Sequence, residues 1–336
     1  MPPSTNSKIM KNSYYSINDA QTLPKVLEEA RSFINSLPEN FALLQKKALE
    51  DAMAGDLENL DKIRLGRIVP ISDRSDVFHI IAKVNFGGEE RKLYIFIPKE
   101  IGKDLRVVVY YHGGGWCINA PESCSMFCQD IAAKTKSVVV CPEYRLAPEN
   151  KYPAANLDAV STVEWVRKNI SNSSELKIFL AGDSAGGHLA ASTALHFKDS
   201  VVDGVIMFYP ALDLSLGRGR KSWGDFAKGY CLDADLMETF IKAYLPNEAA
   251  SQNEDASPLL ARDLKGFPNS LIISAQCDIL RDEALEFASR LAEFGINVRY
   301  RCIEGATHLF ITKPEMKEAY CNALSEASEF VLKNSE

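Results

Sequence analysis

The sequence predicts an α/β fold, in which a mostly parallel eight-stranded sheet carries helices on both faces beneath a helical cap. Three observations lead there. From Val77 onward short apolar runs alternate with helical patterns, the signature of strand-helix-strand units. The later runs are nearly continuous, as expected of strands buried on both faces. A strand-free N-terminal stretch and one long interval between strands supply the material of a cap.

From Asp19 to about Leu65, Val26, Leu27, Ala30, Phe33, Ile34 and Leu37 recur at helical steps, and a second such set follows Phe41. Residues 1–68 are expected to form a helical cap region and 69–336 the sheet-bearing domain, with residues 1 to about 13 polar and frayed. Strands are read at VFHIIAKV (77–84), KLYIFI (92–97), RVVVYY (106–111), SVVVC (137–141), LKIFLA (176–181), GVIMFY (204–209), SLIISA (270–275) and NVRYRC (297–302). Gly87 and Gly88 join the first two as an antiparallel hairpin. Helices are read at about 124–135, 153–169, 185–197, 282–294 and 315–333. Between Pro210 and Ser270 lie about sixty residues, more than a strand connection needs. An insertion at about 211–265, on the carboxyl side of a strand, is expected to join the N-terminal helices as a lid.

Composition narrows the class. With 336 residues, 46% hydrophobic and 25% charged, the chain is neither disordered nor fibrous. A net charge of -7 leaves no basic excess for nucleic acid or anionic membranes, so a small uncharged molecule is the expected partner. No run reaches the length of a membrane span, and MPPSTNSKIMKNS lacks the apolar core of a secretory signal, so a cytoplasmic protein is expected. The eight cysteines show no CxxC pair and no zinc spacing. Free thiols are expected, with a structural disulfide as the alternative.

Two glycine motifs carry the chemistry. IFLAGDSAGG is a strand, a G-x-S-x-G turn and a helix start, the context of a nucleophile elbow that holds Ser184 on a strained turn. There Gly182 and Gly186 are steric requirements; the competing reading is an ordinary N-capping serine. VVYYHGGGW follows a strand with His112, Gly113, Gly114 and Gly115, a loop whose backbone N–H groups, with that of Ala185, suit an oxyanion.

A serine nucleophile needs a base and a group to orient it, in the chain order Ser, acid, His. His188 and His196 read as helix residues, which leaves His308 in IEGATHLF. For the acid, Asp278 lies just past a buried strand, Asp282 reads as a helix-start residue, and Glu304 is a more distant candidate. Trp116 and Cys117 are candidates for the substrate pocket or for plain packing. Tyr144, Arg145 and Glu149 read as a polar cluster bracing the nearby loop, and GRGRK (217–221) as a solvated basic loop or an anion contact.

Together HGGGW, GDSAGG, PEYRLAPENKYPAA (142–155), SPLLARDLKGFP (257–268), CDILRDE (277–283) and ATHLF resemble the hormone-sensitive lipase branch of the α/β-hydrolase esterases over about residues 70–335. The resemblance implies Ser184, Asp278 and His308 as catalytic triad, Gly114, Gly115 and Ala185 as oxyanion donors, and Asp183 as a supporting residue. It implies no metal or cofactor. One departure is Ile279, where such families often place proline after the acid. The function expected is a serine carboxylesterase acting on short-chain esters. The same branch resembles plant gibberellin receptors, which bind without hydrolysis and have the triad histidine replaced; His308 is present here. An amidase, a formamidase or a dehydratase would use the same site, and a homodimer stays open.

Overall fold

The computed structural model describes residues 23–334 apart from 103, 171–175, 200 and 216–218. Eight strands form where the apolar runs lie: β1 (Val77–Phe86), β2 (Glu89–Pro98), β3 (Arg106–Tyr111), β4 (Val138–Pro142), β5 (Lys177–Asp183), β6 (Gly204–Phe208), β7 (Ser270–Cys277) and β8 (Val298–Thr307). They make one sheet of order β1-β2-β4-β3-β5-β6-β7-β8. β1 and β2 are antiparallel, as is the β2-β4 pair, and every later pairing is parallel. Gly87 and Gly88, at φ 60° and 96°, form the hairpin turn whose positive φ values suit glycine.

The strand order places a site. The chain runs from β3 outward to β4 and then returns past β3 to β5, so β3 is the switch point at which an open α/β sheet leaves a crevice at its carboxyl edge. Register aligns Tyr111 at the end of β3 with Gly182 near the end of β5. The loop after β3 and the turn after β5 therefore leave the sheet side by side. At the other flank, Ala275 pairs with Ile303 but Cys277 pairs with Thr307, because β8 bulges at Glu304–Ala306. The bulge is held by Gly305, at φ 65°, whose N–H donates to Gln276 Oε1 at 2.8 Å. It brings the residues after β7 and β8 level with each other.

Helices cover both faces. Consecutive strand residues point oppositely, and Tyr110 packs on Phe127 of α4 (Ser125–Thr135) while the Tyr111 hydroxyl donates to Ala159 of α5 (Ala154–Asn169). Phe127 also meets Tyr320 of α10 (Lys317–Lys333), so α4 and α10 share one face; α5 packs with α6 (Ala185–His196) on the other, and α9 (Arg281–Glu293) lies along β7 and β8. The core is continuous from Val107 to Val331, with Tyr110, Phe127, Phe179 and Phe208 fully buried.

The N-terminal helices are α1 (Glu28–Ser36), α2 (Phe41–Met53) and α3 (Glu58–Leu65). Of the helical pattern expected from Asp19, residues 19–22 lie outside the described residues, as do residues 1–13; among the described ones Leu23–Leu27 are not helical and the first helix starts at Glu28. The long interval carries α7 (Lys221–Asp225) and α8 (Ala234–Tyr244). α2 packs on α8, with Lys46 Nζ 3.1 Å from Asp235, so the two regions meet in space. Of GRGRK, residues 217 and 218 lie outside the described set; Gly219 and Lys221 are exposed, as a solvated loop requires, with Lys221 paired to Asp225, whereas Arg220 is largely covered and pairs with Asp213 at 2.7 Å and Glu286 at 2.9 Å. No described helix is long and apolar enough to cross a membrane. All eight cysteines are free thiols.

Candidate active site

Ser184 sits between β5 and α6 at φ 55° and ψ -117°, a backbone conformation that non-glycine residues avoid and that only surrounding structure can impose. Its neighbours must lack side chains. A Cβ on Gly186 would overlap the Tyr111 carbonyl oxygen and lie 2.7 Å from that of His112; one on Gly182 would overlap the Gly186 carbonyl and lie 2.8 Å from the Tyr111 oxygen. Two adjoining strands and a helix turn thus pass at backbone contact, and this lifts the Ser184 hydroxyl off the sheet edge.

Three side chains converge there. The Ser184 hydroxyl donates to His308 Nε2 at 2.9 Å, and His308 Nδ1–H donates to Asp278 Oδ2 at 2.6 Å. One neutral tautomer satisfies both contacts. Asp278 Oδ1 accepts the Leu280 N–H at 3.0 Å, so the carboxylate is fixed at both oxygens and its loop is held without the proline that Ile279 replaces. All three are buried, the serine at 7% exposure. The other acids point elsewhere: Asp282 accepts the Ser222 N–H at 2.8 Å and pairs with Arg281, and Glu304 is exposed. Tyr209, which the sequence did not single out, backs the imidazole at 4.5 Å between ring centres, and its hydroxyl accepts the Ile311 N–H at 3.2 Å.

The glycine loop leaves the sheet beside the serine turn. Gly114 and Gly115 stand at φ 123° and 56°. A Cβ on Gly115 would run into the Phe240 ring of α8, so the loop is also the floor of the helical layer above it. Gly113 is occupied at both ends: its N–H donates to Asp183 Oδ1 at 3.0 Å, while its carbonyl accepts from Asn119 Nδ2 at 3.1 Å and His112 Nδ1 at 2.9 Å. In a trans peptide the N–H points opposite to the C=O. The Gly114 N–H therefore points away from Asn119 and His112, and among the described residues the N–H groups of Gly114, Gly115 and Ala185 have no hydrogen-bond partner.

Sequence reasoning missed Asn119 and two arginines. Asn119, at φ 69°, accepts from Arg67 Nη1 at 3.4 Å; Arg67 also donates to Gln45 at 2.9 Å and lies over the Phe41 ring. Arg64 of α3 reaches the Cys117 and Ala147 carbonyls at 2.9 and 3.0 Å and grips Glu149 with two bonds, tying the N-terminal helices to the glycine loop. Glu149 thus braces the loop as expected, joined by Tyr144 donating to the His112 carbonyl at 2.8 Å and by Arg145 paired with Asp158. No local pattern marks the clamp: Asp61 is a near partner of Arg64, but the groups on the loop side lie 53 to 85 residues away. Trp116 and Cys117 are fully enclosed and have packing roles rather than an open pocket wall: Trp116 stacks on Tyr244 at 4.5 Å and donates to His188 Nδ1 at 3.1 Å.

Burial sets the protonation of the supporting groups. It pulls His112 and His188 down to about 4 and pushes Asp183 up to about 6, although the Tyr110 and Gly113 hydrogen bonds oppose the latter. The histidines therefore stabilise the fold fully above their unfolded value of 6.5 and lose that contribution as pH falls towards 4. Asp183 acts in the opposite sense, favouring the fold below 3.8 and losing this as pH rises through about 6. Asp183→Asn keeps an oxygen for both donors and removes the offset. Its melting temperature is expected to fall more steeply than the parent's between pH 6 and pH 4; parallel curves in a pH series of thermal melts would refute the assignment.

Comparison with known proteins places the fold and the family. A family model described as the alpha/beta hydrolase fold matches residues 108–312. An arylesterase of Saccharolobus solfataricus is 32% identical over 252 residues, covering 73% of this chain and 79% of its own. The gibberellin receptor GID1A of Arabidopsis thaliana is 31% identical over 243 residues, covering 68% and 69%. An esterase of Pyrobaculum calidifontis superimposes with a TM-score of 0.76 at 30% identity, covering 92% of this chain and 98% of that one. The chain belongs to the α/β-hydrolase family, in the hormone-sensitive-lipase-like branch of carboxylic ester hydrolases.

Proposed function

We propose that the chain is a serine carboxylesterase that cleaves short-chain acyl esters through an acyl-enzyme. The observation that carries this is the linear contact from Ser184 Oγ through His308 to Asp278, at 2.9 and 2.6 Å, beside three unpaired backbone N–H groups. His308 takes the serine proton as Oγ bonds to the ester carbonyl carbon, and Asp278 stabilises the imidazolium that forms. Negative charge gathers on the carbonyl oxygen, where the Gly114, Gly115 and Ala185 N–H groups meet it without rearrangement. His308 then returns its proton to the departing alcohol. A water, activated by the same imidazole, releases the acid and restores Ser184.

Residues 1–68 and the insertion at about 211–265 act as the cap. The α2-α8 packing, the Arg64 clamp and the Phe240 ring against Gly115 support this reading, as does the low exposure of Ser184. A non-hydrolytic receptor has no need of a base in contact with its serine, and His308 is in that contact. A panel of p-nitrophenyl esters from acetyl to decanoyl, run beside an aryl amide, tests the reading. Fastest turnover on the shortest esters supports it. Amide cleavage faster than ester cleavage, or no turnover on any member, contradicts it.

Asn119 acts as a positioning residue in this scheme. It and His112 hold the carbonyl whose peptide partner is the Gly114 N–H, and the Arg67 cation polarises that chain of bonds. Asn119→Gly leaves the positive φ acceptable and removes only the side chain. Because a direct oxyanion donor is worth ~100-fold or more, losing its support is expected to lower kcat roughly 10-fold with KM within about twofold. An unchanged kcat would remove Asn119 from the account.

A further inference from the structure

Cys124, Cys128 and Cys141 are drawn together by three different elements. Cys124 closes the 3-10 turn Pro121–Cys124, Cys128 follows one helical turn later on the same face of α4, and Cys141 comes from β4 beneath. The Cys124 sulfur is 3.8 Å from that of Cys128 and 3.7 Å from that of Cys141, and all three lie within 4.8 Å of one another. Each is at most 1% exposed. Nothing in ester hydrolysis uses them.

We propose that these three thiols form a closed site for a trivalent thiophilic ion of the arsenite class. The choice of charge follows from the surroundings. All three sulfurs are enclosed in the hydrophobic core, where an uncompensated charge is costly, so the pocket resists negative charge. Three thiolates around a monovalent or divalent soft ion leave a net negative complex in this apolar place. Around a trivalent ion the complex is neutral. The exchange balances without any redox partner: As(OH)3 and three thiols give As(SR)3 and three waters, each S–H replaced by an S–As bond and each hydroxide leaving with a thiol proton. A disulfide here would need an oxidant that nothing in the structure supplies. The remaining cysteines offer no third sulfur in reach among the described residues, since this is the only such group of three. Entry requires local opening of the 3-10 turn, so uptake is expected over minutes to hours rather than at once.

The test uses the native full-length protein, incubated with sodium arsenite, desalted and weighed intact, then alkylated and mapped. The expected adduct is one arsenic less three hydrogens, with protection at Cys124, Cys128 and Cys141. Replacing any one of the three by valine, which preserves apolar volume, is expected to abolish that adduct, while Cys321→Ala, at an exposed site, keeps it. Circular dichroism of each variant separates lost binding from lost fold. If a valine variant does not fold, phenylarsine oxide on the parent decides instead: with only two exchangeable positions, it is expected to protect no more than two of the three thiols. No adduct on the parent, an adduct lacking only two hydrogens, or protection elsewhere means that the cluster is core packing and overturns the proposal.

Discussion

Replacing Ser184 with alanine is expected to lower kcat on p-nitrophenyl acetate by roughly 10^4-fold or more, with the fold intact, because the attacking atom is lost while the oxyanion donors stay in place. Ser184→Gly is expected to lose activity equally and to melt at a higher temperature than the parent. The gain follows from the backbone: φ 55° and ψ -117° cost a serine about 1–3 kcal/mol that glycine does not bear. The pair of variants separates strain from chemistry. Activity that survives in Ser184→Ala would place the nucleophile elsewhere, and a glycine variant no more stable than the parent would mean that the turn is not strained.

The second large effect concerns Gly186. Its pro-Cβ position coincides with backbone, the Tyr111 and His112 carbonyl oxygens, which cannot swing aside as a flexible side chain would. Gly186→Ala must push α6 away from β3, an overpacking cost expected at about 3 kcal/mol or more. For a chain of this size that is roughly 4 °C or more in melting temperature, with loss of activity as the serine shifts from His308. Gly224→Ala, in α7, meets nothing within 4 Å and serves as the control, with expected stability within about 0.5 kcal/mol of the parent. Equal melting temperatures for the two variants would contradict the close backbone approach.

Much of this site could be read from the chain because its parts are local. A buried strand, a G-x-S-x-G turn and a helix start are contiguous residues, and the steric reason for each glycine lies within the turn or the adjacent strand. The eight strands were legible for a similar reason: runs such as Val107–Tyr111 and Leu271–Ile273 are apolar without alternation, as expected of a doubly covered sheet. Its place just past a buried strand already favours Asp278 over Asp282 and Glu304; what the sequence does not show is the β8 bulge, which levels Asp278 with His308 and leaves Glu304 facing solvent. Asn119, Arg64, Arg67 and Tyr209 were not legible. Arg64, Arg67 and Tyr209 are ordinary residues placed by partners tens of positions away, and Asn119, though only six residues from Gly113, gives no sign in the sequence that its amide holds that carbonyl. Of the two readings held open for Trp116 and Cys117, their full enclosure fits packing. Adjacency to a reactive loop suggests a pocket wall, yet α8 and His188 fill the space around Trp116.

The central claim is that Ser184, activated by His308, is an acyl-accepting nucleophile. Treatment of the native protein with a fluorophosphonate, followed by intact mass and peptide mapping, tests it most directly. The account expects one phosphonyl group per chain, on Ser184, with hydrolysis lost in proportion to labelling and labelling greatly slowed in His308→Ala. An unlabelled protein that still hydrolyses esters, or a label on any other residue, would contradict it.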